Sequence, residues 1–206
     1  MRKIIVPAFL TLDGVIQSPG SPDEDVGDGF AHGGWFWPYA DESTDAMEEL
    51  FKRPFELLLG RRTYDVFAAF WPHVEADSPL RSTADLFNRT TKHVATHRPD
   101  TLDWNHSRPL GPDVLAAVRD LKHSDGPDLL TQGSSKLVHQ LLTTDLVDEL
   151  ILVVVPILLG TGKRLFDESA RPTAFRLESS KTSSKGNVVN HYVREGEVRA
   201  HAHPPG

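Results

Sequence analysis

Two short stretches of the sequence carry residue types that could hold a phosphate. They are Gly60-Arg61-Arg62-Thr63 and Gln132-Gly133-Ser134-Ser135. Each follows an apolar run typical of a strand and precedes residues with helical spacing. Such a glycine turn leaves backbone N–H groups free at the start of a helix, where an anion binds favourably. Arginine can also pair with a phosphate through two parallel hydrogen bonds.

Two such junctions in one chain favour a dinucleotide as the ligand. Each junction taken alone is also compatible with an ordinary strand–helix turn whose polar side chains are solvated. The fingerprint G-x-G-x-x-G is absent after the first predicted strand, which disfavours an ordinary Rossmann domain. The sequence therefore indicates a dinucleotide site of another architecture.

Asp13 is the candidate catalytic acid. It lies beside the end of the first predicted strand, and a carboxylate against an apolar wall can have a shifted pKa, so that it could anchor or protonate a substrate. The alternative is a turn residue ahead of Gly14. The ten histidines show no metal-binding spacing on one helix, and no G-x-S-x-G motif is present. We therefore predict neither a metal site nor serine hydrolysis.

The apolar periodicity places these residues at the ends of strands. Strands are predicted at 4–10, 55–59, 92–96, 129–131 and 150–156, and helices at 43–51, 64–71, 80–87, 114–121 and 136–142. Two final strands, at 175–181 and 188–193, predict an antiparallel hairpin. Alternating strands and helices predict an α/β fold with a mainly parallel mixed sheet, flanked by helices and completed by the C-terminal hairpin. Pro7 predicts a bulge or irregularity in the first strand.

Residues 17–40 form a polar, glycine-rich loop that contains five aromatic side chains. Disordered linkers are poor in aromatics, so this loop is predicted to be ordered. It is either a lid or pocket wall over the ligand, or a loop whose aromatics fasten it to the core. Residues 195–206 are polar and predict a flexible tail after a single domain spanning 1–194.

The composition is that of a globular cytoplasmic protein. The chain has 206 residues, of which 39% are hydrophobic and 25% charged, and its net charge of -7 argues against a general nucleic-acid binder. The absence of cysteine fits a reducing compartment. The first residues do not form a signal peptide, and the longest apolar run, 150–159, is too short to span a membrane. We predict a cytoplasmic location with no membrane or nucleic-acid partner.

Five motifs, in this order, resemble those of a known family. They are Leu12-Asp13-Gly14-Val15-Ile16, Leu59-Gly60-Arg61-Arg62-Thr63-Tyr64, Gly133-Ser134-x-x-Leu137, Leu146-Val147-Asp148-Glu149-Leu150 and Pro156-x-x-Leu159-Gly160-x-Gly162-Lys163-Arg164-Leu165-Phe166. The sequence resembles the dihydrofolate reductase-like family that includes the C-terminal reductase domain of bifunctional riboflavin-biosynthesis proteins. It is most similar to the small stand-alone bacterial members. The resemblance spans roughly residues 3–193.

The resemblance implies a dihydrofolate reductase-like fold, NADPH as the cofactor and hydride transfer to a small C=N or C=O substrate. Members of this family commonly form homodimers, so a homodimer is expected as well. The implied alternative is an NADPH-binding module without turnover. The implied cofactor-binding residues are Ala8, Ile16, Gly60, Arg61, Arg62, Thr63, Thr96, His97, Gly133, Ser134, Ser135 and Leu137. The substrate-side candidates are Asp13, Trp35, Phe36 and Trp71.

The resemblance is incomplete in two places. Riboflavin-pathway reductases usually have a Thr-x-x-x-Asp-Asp/Pro pattern where this chain has Thr63-Tyr64-Asp65-Val66-Phe67, and the second difference lies before the motif glycine. Riboflavin-pathway reductases carry a glutamate before the motif glycine, facing the sugar-bearing substrate, whereas this chain has Gln132. The substrate is therefore expected to differ from the phosphoribosylaminouracil intermediate of that pathway. The bend at 160–162 is expected to be a marker of the fold near the site and not a phosphate loop.

Overall fold

A computed structural model describes residues 1–199 of the chain. The strands within this range are β1 (Ile4–Thr11), β2 (Phe55–Gly60), β3 (Lys92–Ala95), β4 (Ser107–Pro109), β5 (Asp128–Thr131), β6 (Glu149–Val155), β7 (Thr173–Thr182) and β8 (Val188–Glu197). The helices are α1 (Asp45–Phe51), α2 (Arg61–Phe70), α3 (Arg81–Arg89), α4 (Val114–His123) and α5 (Ser135–Leu142).

All eight strands form one sheet in the order β4-β3-β2-β5-β1-β6-β8-β7. The pairings from β4 to β6 are parallel, and β8 and β7 add an antiparallel edge. This confirms the predicted fold class. Because β2, β5 and β1 are parallel neighbours, their carboxyl ends meet at one edge of the sheet, where open α/β sheets bind ligands.

The alternating side chains of the central strands divide the core into two layers. Ile4 and Val6 of β1 face α4 and α5 on one side of the sheet, together with Leu58 of β2. Ile5 of β1 and Leu57 of β2 face α1, α2 and α3 on the other side. Helices on both faces explain why these strands read as continuous apolar runs in the sequence.

Two expectations about strand β1 and the C-terminal region are corrected. Strand β1 pairs with β6 in unbroken register from Ile5 to Thr11, so the predicted irregularity at Pro7 is wrong. On its other side, β1 pairs with β5 only at Ile4 and Ile5. Pro7 lies beyond this pairing, so its missing N–H costs no hydrogen bond to β5. The predicted tail begins inside a strand, because β8 continues to Glu197. Residues 200–206 lie outside the described range.

Candidate functional site

A cleft of about 980 Å³ opens at the carboxyl edge of β2 and β5. Its size is at the upper end of the range for ligand pockets, roughly 300–1,000 Å³. All but one of the residues predicted to bind the cofactor line it, namely Ile16, Gly60, Arg61, Arg62, Thr63, Thr96, His97, Gly133, Ser134, Ser135 and Leu137. The exception is Ala8, which packs against the core layer of α4 and α5 and is not part of the lining.

The two glycine turns are the opposite walls of this cleft, and they touch. The backbone N–H of Gly60 donates to Ser134 Oγ over 2.8 Å, and that hydroxyl donates to Thr63 Oγ1 over 2.6 Å. A Cβ on Gly60 would lie 2.6 Å from Ser134 Oγ and 2.7 Å from Ser134 Cβ. Only glycine at this position allows the two turns to approach so closely.

Two helices begin at these turns without a side-chain cap. Gly60, which has no side chain, precedes α2. Ser134 precedes α5, and its side chain accepts no hydrogen bond from the first turn of that helix. Gly133 and Ser134 adopt φ values of 84° and 70°, which turn the chain sharply into α5. Two uncapped N-termini therefore meet in the cleft with their partial positive charge, an arrangement that favours an anion.

The neighbouring helix α4 differs in this respect. Its N-terminus also lines the cleft, but the Asp113 carboxylate accepts a hydrogen bond from the N–H of Ala116 over 2.9 Å. This N-terminus already has a negative partner. The anion-binding capacity of the cleft is thus concentrated between α2 and α5.

Adjacent arginines at the start of α2 have different roles. Arg61 donates through Nε to Asp65 at 2.7 Å and through Nη1 to Thr101 Oγ1 at 2.7 Å and to the carbonyl of Arg98 at 3.0 Å. Its guanidinium therefore fixes the loop after β3, and only 18% of its side chain is exposed. The Arg62 side chain is 60% exposed, and its ion-pair partner is Asp25.

Asp25 belongs to a loop that the sequence did not assign to the phosphate site. Its carboxylate accepts from Lys163 Nζ at 2.6 Å and from the N–H of Gly27 at 3.0 Å, and it also pairs with Arg62. Burial opposes ionisation of this carboxylate, but the hydrogen bonds and both cations outweigh it, so the pKa of Asp25 lies below its ordinary value. Asp25 is a stable anion inside a cleft suited to anions.

Asp13 makes the contacts expected of a turn residue. Its carboxylate accepts from Thr11 Oγ1 at 2.5 Å, from the N–H of Gly160 at 2.9 Å and from the N–H of Leu159 at 3.3 Å. The hydroxyl bond is the main reason that the pKa of Asp13 is lowered, so this group is a poor proton donor. Asp13 does not line the cleft. The Asp13 carboxylate instead holds the start of the bend at 160–162 through these hydrogen bonds. This contact fits the expectation that the bend is a marker of the fold.

The aromatic substrate-side candidates lie outside the cleft as well. Trp35 and Phe36 are buried against Val15 and Val155, and the ring of Phe36 lies 4.1 Å from that of Phe9 between centroids. Trp71 packs in the opposite core layer. Trp35 and Phe36 therefore pack as expected for a loop whose aromatics fasten it to the core. The earlier part of the loop, from Gln17 to Asp28, does border the cleft.

Sequence reasoning missed the loop carboxylates and two cations of the site. Glu24, Asp25 and Asp28 line the cleft, and so do Lys136 and Lys163. In the sequence, Lys163 stood out only as a member of the motif ending at Phe166, and the carboxylates only as part of the polar 17–40 loop. Within residues 1–199 no group of three or more histidine and acidic side chains is placed to hold a metal. No helix in that range is long and apolar enough to cross a membrane.

Comparison with known sequences finds the same family along nearly the whole chain. The family model described as RibD C-terminal domain matches residues 2–189. The Bacillus subtilis protein YwjB, itself uncharacterized, is 28% identical over 194 residues, which cover 94% of this chain and 98% of that protein. YyaP of Bacillus subtilis, also uncharacterized, is 25% identical over 196 residues, covering 93% and 95% of the two chains.

Comparison with solved structures shows the fold. A putative riboflavin biosynthesis protein from Shewanella sp. PV-4 superposes with a TM-score of 0.68 at 21% identity, covering 94% of this chain and 99% of that one. A pyrimidine reductase-like protein from Corynebacterium diphtheriae gives 0.57 at 15% identity, with 97% and 93% coverage. Dihydrofolate reductase from Enterococcus faecalis, complexed with NADP(H), gives 0.55 at 16% identity, with 94% and 96% coverage. The fold is therefore dihydrofolate reductase-like.

Proposed function

We propose, from the premise that this chain belongs to the RibD C-terminal domain family, that it is an NADPH-dependent reductase. In this proposal it transfers a hydride to the C=N or C=O group of a small molecule. The observation that carries the proposal is the meeting of two uncapped helix N-termini in one cleft, beside the exposed guanidinium of Arg62. The NADP(H) bound to the dihydrofolate reductase of Enterococcus faecalis agrees with this choice of cofactor.

The residues of the cleft fit the separate parts of a dinucleotide. The N–H groups at the starts of α2 and α5 would hold the pyrophosphate, with Arg62 supplying charge. Thr96 and His97 would border the adenosine at the end of β3, and Ile16 and Leu137 supply apolar surface within the same cleft. When bound, NADPH provides the hydride. The protein then contributes binding, orientation and the exclusion of water.

The substrate is proposed to differ from the riboflavin intermediate. Gln132 stands where the resembling reductases carry a glutamate, and its side-chain Nε2 is buried without a hydrogen-bond partner in the described residues. A neutral carboxamide can both donate and accept, whereas a carboxylate only accepts. Since the carboxylate of Asp13 is occupied by the fold, the proton that accompanies the hydride is proposed to come from solvent.

The hydrogen bonds that occupy the Asp13 carboxylate also favour a second candidate function. A protein that keeps the cleft but has no catalytic acid could bind NADPH without turning over a substrate. NADPH consumption, followed by absorbance across a panel of carbonyl and imine compounds, separates the two candidates. Oxidation above the rate without substrate identifies a reductase, and binding with no oxidation across the panel identifies the silent module.

The first experiment is a titration with NADPH, followed by nicotinamide fluorescence, on the wild type, Arg62→Ala and Arg53→Ala. Arg53 is exposed and lies outside the cleft, so its replacement is the matched control for loss of one positive charge. We expect saturable binding near micromolar concentrations. Loss of the Arg62 phosphate contact should raise Kd about tenfold, which corresponds to ~1.4 kcal/mol, and the control should leave Kd unchanged. Absence of saturable binding, or equal effects of the two variants, contradicts the proposal.

Location and assembly complete the proposal. We propose a cytoplasmic homodimer, as implied by the resemblance, that acts on a small molecule and not on nucleic acid or a membrane. Sedimentation equilibrium at micromolar concentration measures the assembly directly. A monomeric mass across the concentration range contradicts the dimer without affecting the proposed cofactor.

A further inference from the structure

The segment Gln17–Gly29, here called the acidic flap, borders the cleft beside Arg62 and Lys163. It contains four carboxylates, Asp23, Glu24, Asp25 and Asp28, and the last three line the cleft. A cleft suited to an anionic ligand is thus partly walled by negative side chains. Negative side chains in this wall would repel an anionic ligand.

The flap holds the backbone of Asp25 in a defined position. Gln17 Nε2 donates to the carbonyls of Asp25 at 2.9 Å and Gly27 at 3.0 Å, and Gln17 Oε1 accepts from the N–H of Lys163 at 2.9 Å. The N–H of Asp25 donates to Ser18 Oγ at 2.6 Å. Both Gln17 and Ser18 are buried. The placement of the Asp25 carboxylate is therefore set by buried polar groups and is not that of a freely moving surface side chain.

The carboxylate of Asp25 engages the cations that a phosphate ligand would need. Four lysine and arginine side chains line the cleft, namely Arg61, Arg62, Lys136 and Lys163. Arg61 is held by Asp65 and the loop after β3. Arg62 and Lys163 both pair with Asp25. Three of the four are thus neutralised by carboxylates of the chain itself.

We propose that Asp25 is a built-in competitor of the anionic ligand, a latch that closes the flap onto Arg62 and Lys163 and must be displaced when a phosphate-bearing ligand enters. A carboxylate and a phosphate compete for the same N–H donors, and the two like charges repel at contact distance. A ligand with two linked phosphate groups offers more charge and more acceptor atoms than one carboxylate, so it can replace the latch. The inference rests on the proposed function only in taking the ligand to carry phosphate.

The test is a titration with inorganic pyrophosphate and, separately, with NADPH, on the wild type, Asp25→Asn and Asp28→Asn. Asn at position 25 can still accept the hydrogen bond from Gly27 while it loses the charge. Asp28 lines the same cleft and forms no ion pair within residues 1–199, and its left-handed backbone suits Asn, so Asp28→Asn is the matched control. We expect Asp25→Asn to lower Kd for pyrophosphate about three- to tenfold, because a larger fraction of the protein is open. The control should change Kd less than about twofold.

Opening of the flap has an independent readout. The indole N–H groups of Trp35 and Trp37 donate to the carbonyls of Gln17 and Gly20, so the flap position affects tryptophan fluorescence. Pyrophosphate does not absorb light, and it should change this fluorescence in the wild type. Asp25→Asn should already show the changed signal without ligand. Should that variant fail to fold, Ser18→Gly, which keeps the carboxylate and tolerates the φ of 50° at that position, is expected to tighten pyrophosphate in the same way.

The outcomes separate the latch from the proposed function. Weaker or unchanged pyrophosphate binding by Asp25→Asn would overturn the latch, because the carboxylate would then be orienting the cations and not competing for them. Equal tightening by Asp25→Asn and Asp28→Asn would also overturn it, by reducing the effect to general charge. If pyrophosphate behaves as expected but no variant binds NADPH, the latch stands and the proposed cofactor fails. If all variants bind NADPH and pyrophosphate with unchanged Kd, the cofactor stands and the latch fails.

Discussion

The two edges of the parallel sheet use charged residues in opposite ways. At the amino edge, where the parallel strands begin, Glu56 of β2 lies between Arg2 and His93, with its Oε2 2.7 Å from His93 Nε2. The side chains of Arg2 and His93 are only 4% and 7% exposed. The Glu56 carboxylate and the Arg2 guanidinium compensate each other, and burial lowers the pKa of His93, which favours a neutral imidazole that donates a hydrogen bond to Glu56. These groups are available to the fold and not to a ligand.

The same pattern repeats along that edge. Glu149 at the start of β6 accepts from Lys3 at 2.5 Å and from His191 at 2.9 Å. Asp148 pairs with the buried Lys122 and accepts from the N–H of Ile4 at 2.7 Å. Each carboxylate has two donors from distant parts of the chain. The amino edge thus joins the chain terminus, the sheet and α4 through paired charges.

At the carboxyl edge, the backbone N–H donors at the starts of α2 and α5 are available to a ligand. Within residues 1–199, the first turns of α2 and α5 have no side-chain cap, and the ion-pair partner of Arg62 is Asp25 of the acidic flap. Changes at the amino edge should destabilise the protein, and changes at the carboxyl edge should alter the affinity for a ligand.

The largest expected effect is that of Glu56→Gln on stability. Removing this carboxylate leaves Arg2 as an uncompensated buried charge, for which about 3 kcal/mol of unfolding free energy is the usual loss. Urea denaturation measures it. Burial opposes ionisation of Glu56, but His93 and Arg2 outweigh it and lower its pKa, so wild-type stability should fall as the pH drops below about 4.5, and this fall should be smaller in the variant.

The control for Glu56→Gln is Glu178→Gln, at an exposed ion pair with Arg176. Exposed pairs contribute roughly 0–1 kcal/mol, so this variant should unfold nearly as the wild type does. The NADPH affinity of folded Glu56→Gln should be unchanged. A loss of affinity without a loss of stability would reverse the roles assigned to the two edges.

The second effect, on binding, is that of Gly60→Ala at the carboxyl edge. The added methyl group would meet Ser134 at 2.6–2.7 Å and force the two turns apart, so Kd for NADPH should rise at least about tenfold. Stability should fall less than in Glu56→Gln. The double variant Gly60→Ala/Ser134→Gly removes both clashing atoms and should recover part of the affinity. Failure of the second change to recover any affinity would show that the contact with Ser134 is not the cause.

Local sequence patterns sufficed to predict the fold and the two walls of the cleft. The strand–glycine–helix junctions at Gly60 and Gly133 depend on residues adjacent in sequence, and parallel pairing then brings their ends together. The resemblance to a family with this fold added NADPH as the expected cofactor, which stays a prediction. Whether Arg61 is solvated or bonded was not predictable, because its partners Arg98 and Thr101 reach it only through the path of the loop after β3.

The loop residues were the least predictable part of the site. Asp25 meets Lys163 across 138 positions of sequence, a contact that follows from the buried hydrogen bonds of Gln17 and not from a local pattern. The contacts of Asp13 could not be predicted for a related reason. A lone Asp-Gly looks the same whether its carboxylate faces a substrate or the N–H groups of a distant bend such as Gly160.

Lys92 is the exception to the pairing of charges at the amino edge, and it gives the smallest expected effect. It is fully buried, its Nζ donates to the carbonyls of Asn88 at 3.1 Å and Asn105 at 2.9 Å, and it lies 3.9 Å from the centroid of the Trp104 ring. Burial without a carboxylate lowers its pKa from 10.5 to about 7. Between these values the unfolded chain binds more protons, so unfolding free energy should rise with pH.

Lys92→Met tests this exception to the pattern. The carbonyls and the indole ring favour the ammonium form, so we expect a rise of about 1 kcal/mol for the wild type between pH 7 and 9, measured by urea denaturation at each pH. Lys92→Met should lack this rise, and the exposed control Lys181→Met should keep it. The chain has no cysteine to titrate in this interval, and the amino terminus is common to all three proteins. Parallel pH curves for wild type and Lys92→Met would mean that Lys92 stays charged in the fold. Its two carbonyls and the ring would then hold the ammonium group as firmly as carboxylates hold the other buried cations of this edge.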